Sequence, residues 1–193
     1  DIGIGFMFAP LFHSAMKHAV PVRKAIGIRT IFNILGPLSN PANATCQVLG
    51  VFDKSLTEIM ARVLKNLGVK RAFVVYGLEG LDEISITGPT QISELKEKKV
   101  RTYSVTPMKF GIKKPGLKNI AGQDADKNAE TVLSVLKGDK GPCRDAVLLN
   151  AAYGLVAAEK ARDVKTGIRL GAESIDSGKA LEKLKQLREY TNR

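Results

Sequence analysis

Two stretches of the sequence gather residue types that can do chemistry. The first, Pro10 to Arg23, holds His13, Met16, His18 and Arg23. His13 and His18 are five residues apart, roughly 140° around a helix at about 100° per residue, so they do not form a metal pair. Composition alone reads this stretch as a helix with incidental histidines and a surface arginine. The second is Asp82-Glu83, two adjacent carboxylates. Such a pair is often nothing more than an exposed turn. Here it follows the apolar run Ala72 to Tyr76, at the end where open α/β sheets place their ligands. Cys46 and Cys143 lie far apart with no CxxC and no nearby ligand set, which reads as two reduced, structural thiols rather than a disulfide or zinc framework.

The elements that must carry these residues alternate along the chain. Residues 10–27 read as helical pieces broken at Pro21, which removes a donor and clashes one turn back. Thr30 to Leu35 is a short apolar stretch, and Gly36-Pro37 and Asn40-Pro41 announce a constrained loop. Thr45 to Phe52 is strand-like. Ser55 with Glu58 reads as a capping box opening a helix, with Ile59, Met60, Val63, Leu64 and Leu67 on one face and Gly68 as its stop. Ala72 to Tyr76 has the continuous apolarity of a strand covered on both faces. Strand, helix and strand within about 32 residues form a βαβ unit, so part of the sheet is expected to be parallel. Residues 84–105 read as shorter strands around a charged hairpin at Lys96 to Lys99. Pro107 to Gly122 is an irregular, lysine-rich stretch long enough to suspect a working loop. Three helices are expected after it: Asp124 to Lys137, Pro142 to about Arg162, and Ser177 to about Tyr190 with Leu181, Leu184 and Leu187 toward the core.

The 193 residues are 44% hydrophobic and 25% charged, ordinary for a folded globular chain and enough to exclude a disordered tail. No apolar run approaches the roughly 20 residues that span a bilayer. The start, Asp1-Ile2-Gly3-Ile4-Gly5, lacks an initiator Met and does not read as a signal peptide, which suggests a chain cut from something longer. The net charge is +11, from 30 Lys+Arg against 19 Asp+Glu. Such an excess suits a nucleic-acid binder or an enzyme that draws phosphorylated substrates into a positive cleft, and charge alone does not separate the two.

The string from Phe8 to Pro41, FAPLFHSAMKHAVPVRKAIGIRTIFNILGPLSNP, closely resembles the anthranilate phosphoribosyltransferase family. The resemblance continues through Gly77 to Ser85 (GLEGLDEIS), Ala121 to Asp124 with Asn128-Ala129, Arg144 to Ala152 (RDAVLLNAA) and Ser177 to Ala180, so it covers essentially the whole chain. It implies an α/β fold, a central mixed sheet flanked by helices like the larger domain of the nucleoside-phosphorylase-like phosphoribosyltransferases. It also implies transfer of phosphoribosyl from phosphoribosyl pyrophosphate to the amine of anthranilate in tryptophan biosynthesis. By that resemblance His13, Met16 and Arg23 line the anthranilate side. A guanidinium binds a carboxylate through two parallel charge-assisted hydrogen bonds, and a thioether suits a ring edge. Pro10, Gly36 and Pro37 resemble tight-walled positions around the ring. Asp82-Glu83 resembles the pair that binds Mg²⁺, a cation that takes one or two carboxylates with substrate phosphates and waters. No covalent nucleophile is implied.

The resemblance is to the C-terminal portion of the family, read as a single α/β domain over residues 1–193. The glycine-rich diphosphate loop of GTGGD type, the KHGN segment and the N-terminal helical domain that carries the dimer contact would all lie before Asp1. The isolated chain is therefore expected to be inactive or nearly so. Gln123 stands where many relatives read glycine. A cytoplasmic location is expected, with no membrane partner. A pyrimidine nucleoside or nucleotide phosphorylase and a nucleic-acid-binding paralogue on the same fold are the competing readings; His13 with Arg23 speaks against the first, and retention of Asp82-Glu83 and the acceptor residues against the second.

Overall fold

The structure, a computed structural model, describes residues 1–7, 36–40 and 42–192. Four strands form one sheet in the order β1 (Cys46–Gly50), β2 (Arg71–Gly77), β3 (Thr90–Lys96) and β4 (Lys99–Val105). β1 and β2 are parallel, with Cys46 opposite Arg71 and Gly50 opposite Val75, and the other two pairings are antiparallel. The parallel pair is joined by helix α1 (Leu56–Asn66), the crossover that the βαβ spacing demanded. The fold is the expected α/β arrangement of a mixed sheet flanked by helices.

β2 is apolar throughout because both of its faces are covered. Ala72 and Val74 pack with Met60, Ala61 and Leu64 of α1, together with Leu49, Val51 and Leu95. Phe73 and Val75 point the other way, against Leu149, Tyr153 and Val156 of α3 (Pro142–Ala157). Phe73 meets the Tyr153 ring edge-to-face at 5.0 Å between centroids, a geometry that adds about 0.5–1.5 kcal/mol to simple burial. A third cluster, Val135, Leu148 and Ile175, ties α2 (Ala125–Lys137) and α4 (Val164–Asp176) to the outer side of α3. α5 (Lys179–Thr191) closes the chain.

Several local expectations change in three dimensions. Ser55 does not form a capping box: its N–H and its hydroxyl both donate to Asp53 Oδ1, at 2.8 and 2.7 Å, while Glu58 pairs with Arg62. Ser55 already has helical dihedrals, φ −63° and ψ −25°, whereas a capping serine needs an extended backbone. The strands within 84–105 are seven residues each, and residues 84–89 form an irregular excursion before β3. The charged hairpin is a two-residue turn, with Glu97 and Lys98 both left-handed at φ 50° and 61°, as such a turn requires.

The helix starting at Pro142 ends at Ala157 rather than near Arg162, and a separate helix, α4, follows. Glu159 turns left-handed at φ 57°, and Asp163 caps the new helix by accepting from Thr166 N–H at 2.8 Å. The last helix begins at Lys179, two residues later than expected, because Gly178 sits at φ 77°. Its Leu181, Leu184 and Leu187 are half-buried, and α5 has no fully buried residue. Among the described residues no helix is long and apolar enough to cross a membrane.

Candidate active site

The acidic pair stands where β1 and β2 end side by side. After β2 the chain makes a tight excursion: Gly77 N–H donates to the Leu81 carbonyl at 2.8 Å, and Gly80 N–H to the Gly77 carbonyl at 2.8 Å. This sets Asp82 directly over the last residue of β1. A Cβ on Gly50 would lie 1.7 Å from the Asp82 carbonyl oxygen, so only glycine admits this approach. Asp82 and Glu83 are both exposed at the carboxyl ends of two parallel strands, the crevice in which open α/β sheets bind ligands.

Polar side chains hold the excursion on its far side. Ile84 is buried, and its N–H and carbonyl are both bonded to the Asn150 amide of α3, each at 2.9 Å. Ser85 N–H donates to Thr90 Oγ1 at 2.9 Å, and the Ser85 hydroxyl oxygen accepts from the N–H groups of Thr87 and Gly88 at 2.9 and 3.1 Å. The hydroxyls of Ser85 and Thr87 both donate to Glu79. A Cβ on Gly88 would come within 2.5 Å of Glu79 Oε2, so this turn is closely packed around the carboxylate.

The electrostatics follow from these surroundings. Burial pushes the Glu79 carboxyl upward, but the hydroxyls of Ser85 and Thr87, its own backbone N–H and the charge of Lys114 outweigh it and hold the group below its ordinary value. Glu83 goes the other way: partial withdrawal from water, and then the neighbouring Asp82 charge, push its carboxyl up. Among the described residues no basic side chain forms an ion pair with Asp82 or Glu83. Two adjacent carboxylate oxygen donors suit a hard divalent cation. Among the described residues no group of three or more His, Cys, Asp or Glu could hold a metal; a magnesium-like cation on one or two carboxylates takes substrate phosphate oxygens and waters as its other ligands.

Of the other candidates, Pro10, His13, Met16 and Arg23 lie outside the described residues. Gly36 and Pro37 belong to a helical turn, closed by Ser39 N–H on the Gly36 carbonyl at 3.2 Å. Pro37 lines a hollow with Thr45, Leu67 and Val69, at the starting ends of β1 and β2. The structure therefore does not bring Gly36-Pro37 to the acidic pair, which sits at the opposite ends of the same strands. Sequence reasoning gave no role to Gly50, Glu79 or Asn150. Gly50 acts through a close approach, Glu79 through the hydroxyls of Ser85 and Thr87, and Asn150 through a side-chain-to-backbone bond that spans 66 residues of sequence.

A family described as the glycosyl transferase family, a/b domain, matches residues 1–181. The chain belongs to this family. Within the glycosyl transferases the chain is similar to the anthranilate phosphoribosyltransferase of Geobacter sulfurreducens, 56% identical over 191 residues that cover 99% of this chain and 55% of that protein. It is also similar to the crystal structure of anthranilate phosphoribosyltransferase from Thermus thermophilus, with a TM-score of 0.90 at 39% identity, covering 100% of this chain and 57% of that one. The anthranilate phosphoribosyltransferase of Saccharomyces cerevisiae in complex with PRPP and Mg superposes with a TM-score of 0.86 at 34% identity, over 94% of this chain and 53% of that one. The chain thus spans just over half the length of the relatives it matches.

Proposed function

We propose that this chain is the C-terminal α/β portion of an anthranilate phosphoribosyltransferase, joining anthranilate to phosphoribosyl pyrophosphate with release of pyrophosphate. The observation that carries the reading is the match to enzymes of that name from one end of the chain to the other, at 51–56% identity in several cases. The exposed acidic pair at the carboxyl ends of β1 and β2 supports it.

In this reading Arg23 binds the anthranilate carboxylate, Met16 packs on the ring, and His13 and Pro10 belong to the acceptor side. Asp82 and Glu83 would hold Mg²⁺, which when bound supplies positive charge against the departing pyrophosphate. The chain contributes no covalent nucleophile. Its work is to hold the amine against the anomeric carbon, and alignment of that kind removes roughly 7–11 kcal/mol from a bimolecular barrier. A glycine-rich loop, a helical domain and a dimer contact preceding the chain complete the cleft in a cytoplasmic enzyme. The 193-residue chain alone is accordingly expected to show little or no turnover, since proximity requires both substrates to be held.

The test is a double substitution, Asp82→Asn with Glu83→Gln, in an enzyme of the relatives' full length that carries this chain. The magnesium concentration for half-maximal activity should rise. An unchanged magnesium dependence would reduce the pair to a surface turn.

A further inference from the structure

We propose that Asn150 is a positioning residue for the acidic pair, working together with Gly50: α3 holds the Asp82-Glu83 backbone from one side while β1 supports it from the other. The proposal rests on the reading of Asp82 and Glu83 as the cation-binding pair.

The stretch carrying the pair has no strand ladder of its own. Residues 82–89 leave the sheet, yet Ile84 is buried in the core, so its N–H and carbonyl need partners away from water. A single side chain supplies both. Asn150 Oδ1 accepts from Ile84 N–H at 2.9 Å, and Asn150 Nδ2 donates to the Ile84 carbonyl at 2.9 Å. An amide presents an acceptor and a donor side by side, as a neighbouring strand would, and no carboxylate, hydroxyl or apolar side chain of that size can do so. The same Nδ2 also donates to the Ala146 carbonyl one turn earlier in α3, at 3.0 Å, which fixes the rotamer. α3 is itself fixed, with Leu149 and Tyr153 in the core beneath β2.

The second support is steric. Asp82 lies on the bare backbone of Gly50, with its carbonyl oxygen 1.7 Å and its carbonyl carbon 2.6 Å from where a Cβ would be. The two carboxylates thus sit between a close approach at Asp82 and a two-point hydrogen bond at Ile84, immediately before and after Glu83. Among the described residues the exposed side chains have no ion-pair partner, and the backbone beneath them is the support the structure shows. Groups that orient metal ligands without touching the metal are worth roughly 10- to 100-fold in affinity.

The experiment measures Mn²⁺ binding by electron paramagnetic resonance, with phosphoribosyl pyrophosphate present, in a full-length enzyme carrying this chain. Asn150→Leu and Gly50→Ala should each weaken Mn²⁺ binding about tenfold and raise the KM for phosphoribosyl pyrophosphate, with the KM for anthranilate changed less than about twofold. Amide exchange at Ile84 and Ser85 should quicken in Asn150→Leu. Asn150→Asp, which keeps the acceptor and loses the donor, should fall between Asn150→Leu and the parent, and it serves with Gly50→Ala if Asn150→Leu fails to fold. Ile175→Ala, in the α2–α3–α4 cluster away from the excursion, provides a variant destabilised for an unrelated reason; its Mn²⁺ affinity should equal the parent's.

Parent-like Mn²⁺ affinity in both the Asn150 and Gly50 variants would overturn the proposal, as would an equal loss in Ile175→Ala. Insensitivity of Mn²⁺ binding to Asp82→Asn with Glu83→Gln would instead overturn the underlying metal reading. Sensitivity there combined with insensitivity at Asn150 and Gly50 would overturn the positioning role alone.

Discussion

Replacing Gly167 with alanine sets two effects of opposite sign against each other in α4, and Gly171, one turn on, offers the same replacement with one of them nearly removed. In a helix interior, alanine is favoured over glycine by about 0.8–1.0 kcal/mol. That gain applies at both positions. At Gly171 the new methyl meets only the Leu148 Cδ2 atom, at 3.1 Å, and this side-chain end can turn aside. At Gly167 the methyl meets the Cα, Cβ and carbonyl oxygen of Ala152, all at 2.9 Å. Two of these atoms are backbone in the middle of α3, and comfortable carbon–carbon contact needs about 3.5–4.0 Å. α4 would have to withdraw from α3 by roughly 0.5–1 Å, and overpacking of this kind costs about 1–3 kcal/mol. Gly171→Ala should therefore be neutral or stabilising by about 0.5 kcal/mol, and Gly167→Ala destabilising by about 1 kcal/mol. Urea unfolding reads both as shifts in midpoint at constant slope, and each kcal/mol moves Tm by about 2–4 °C at this size. If Gly167→Ala is as stable as Gly171→Ala, the close approach of α3 and α4 is wrong.

Two further outcomes are expected. Arg144 is buried and bonds Asp176 through two nitrogens, at 2.8 and 2.9 Å, and that hydrogen-bonded guanidinium first of all holds the Asp176 carboxyl below its ordinary 3.8. A carboxyl depressed in the native state contributes stability that is fully present above 3.8 and is lost as pH falls through the native value, so the loss in Tm caused by Asp176→Asn should be largest near neutrality and shrink in acid. Arg23→Ala, in an enzyme of full length, should raise the KM for anthranilate roughly tenfold or more and leave that for phosphoribosyl pyrophosphate nearly unchanged, because a charge-assisted bond is worth about 1.5–3 kcal/mol; equal effects on both substrates would reject its assignment to the acceptor.

What could be read from the residues in order depended on how local the cause was. β2 was evident from its unbroken apolarity, and α1 with Gly68 from an apolar face and a stop, because those signals lie within a few residues of one another. α4 was not, since Gly167 and Gly171 are poor helix formers and the reason for them is Ala152 and Leu148 on another helix. The site divides in the same way. Asp82 and Glu83 stand out by adjacency and by following a buried strand, whereas Gly50 and Asn150 look like an ordinary strand end and an ordinary helical asparagine until the chain is folded. Ser55 shows the converse: a pattern that matched a cap on paper lost to Asp53, two residues earlier, whose carboxylate accepts the Ser55 N–H that Glu58 would have taken and the Ser55 hydroxyl as well.

The absence of any fully buried side chain in α5 bears on how the molecule comes apart. A helix held by half-buried leucines, by Lys183 on the Ile2 carbonyl and by Tyr190 on Asp1 can open at small free-energy cost without disturbing β2, α1 or α3. Its seven-residue span Lys179 to Lys185 alone holds three lysines, so trypsin meets cleavage sites in a segment that opens readily. Nicking at this end would leave the sheet, with the acidic excursion still seated between Gly50 and Asn150, as a surviving core.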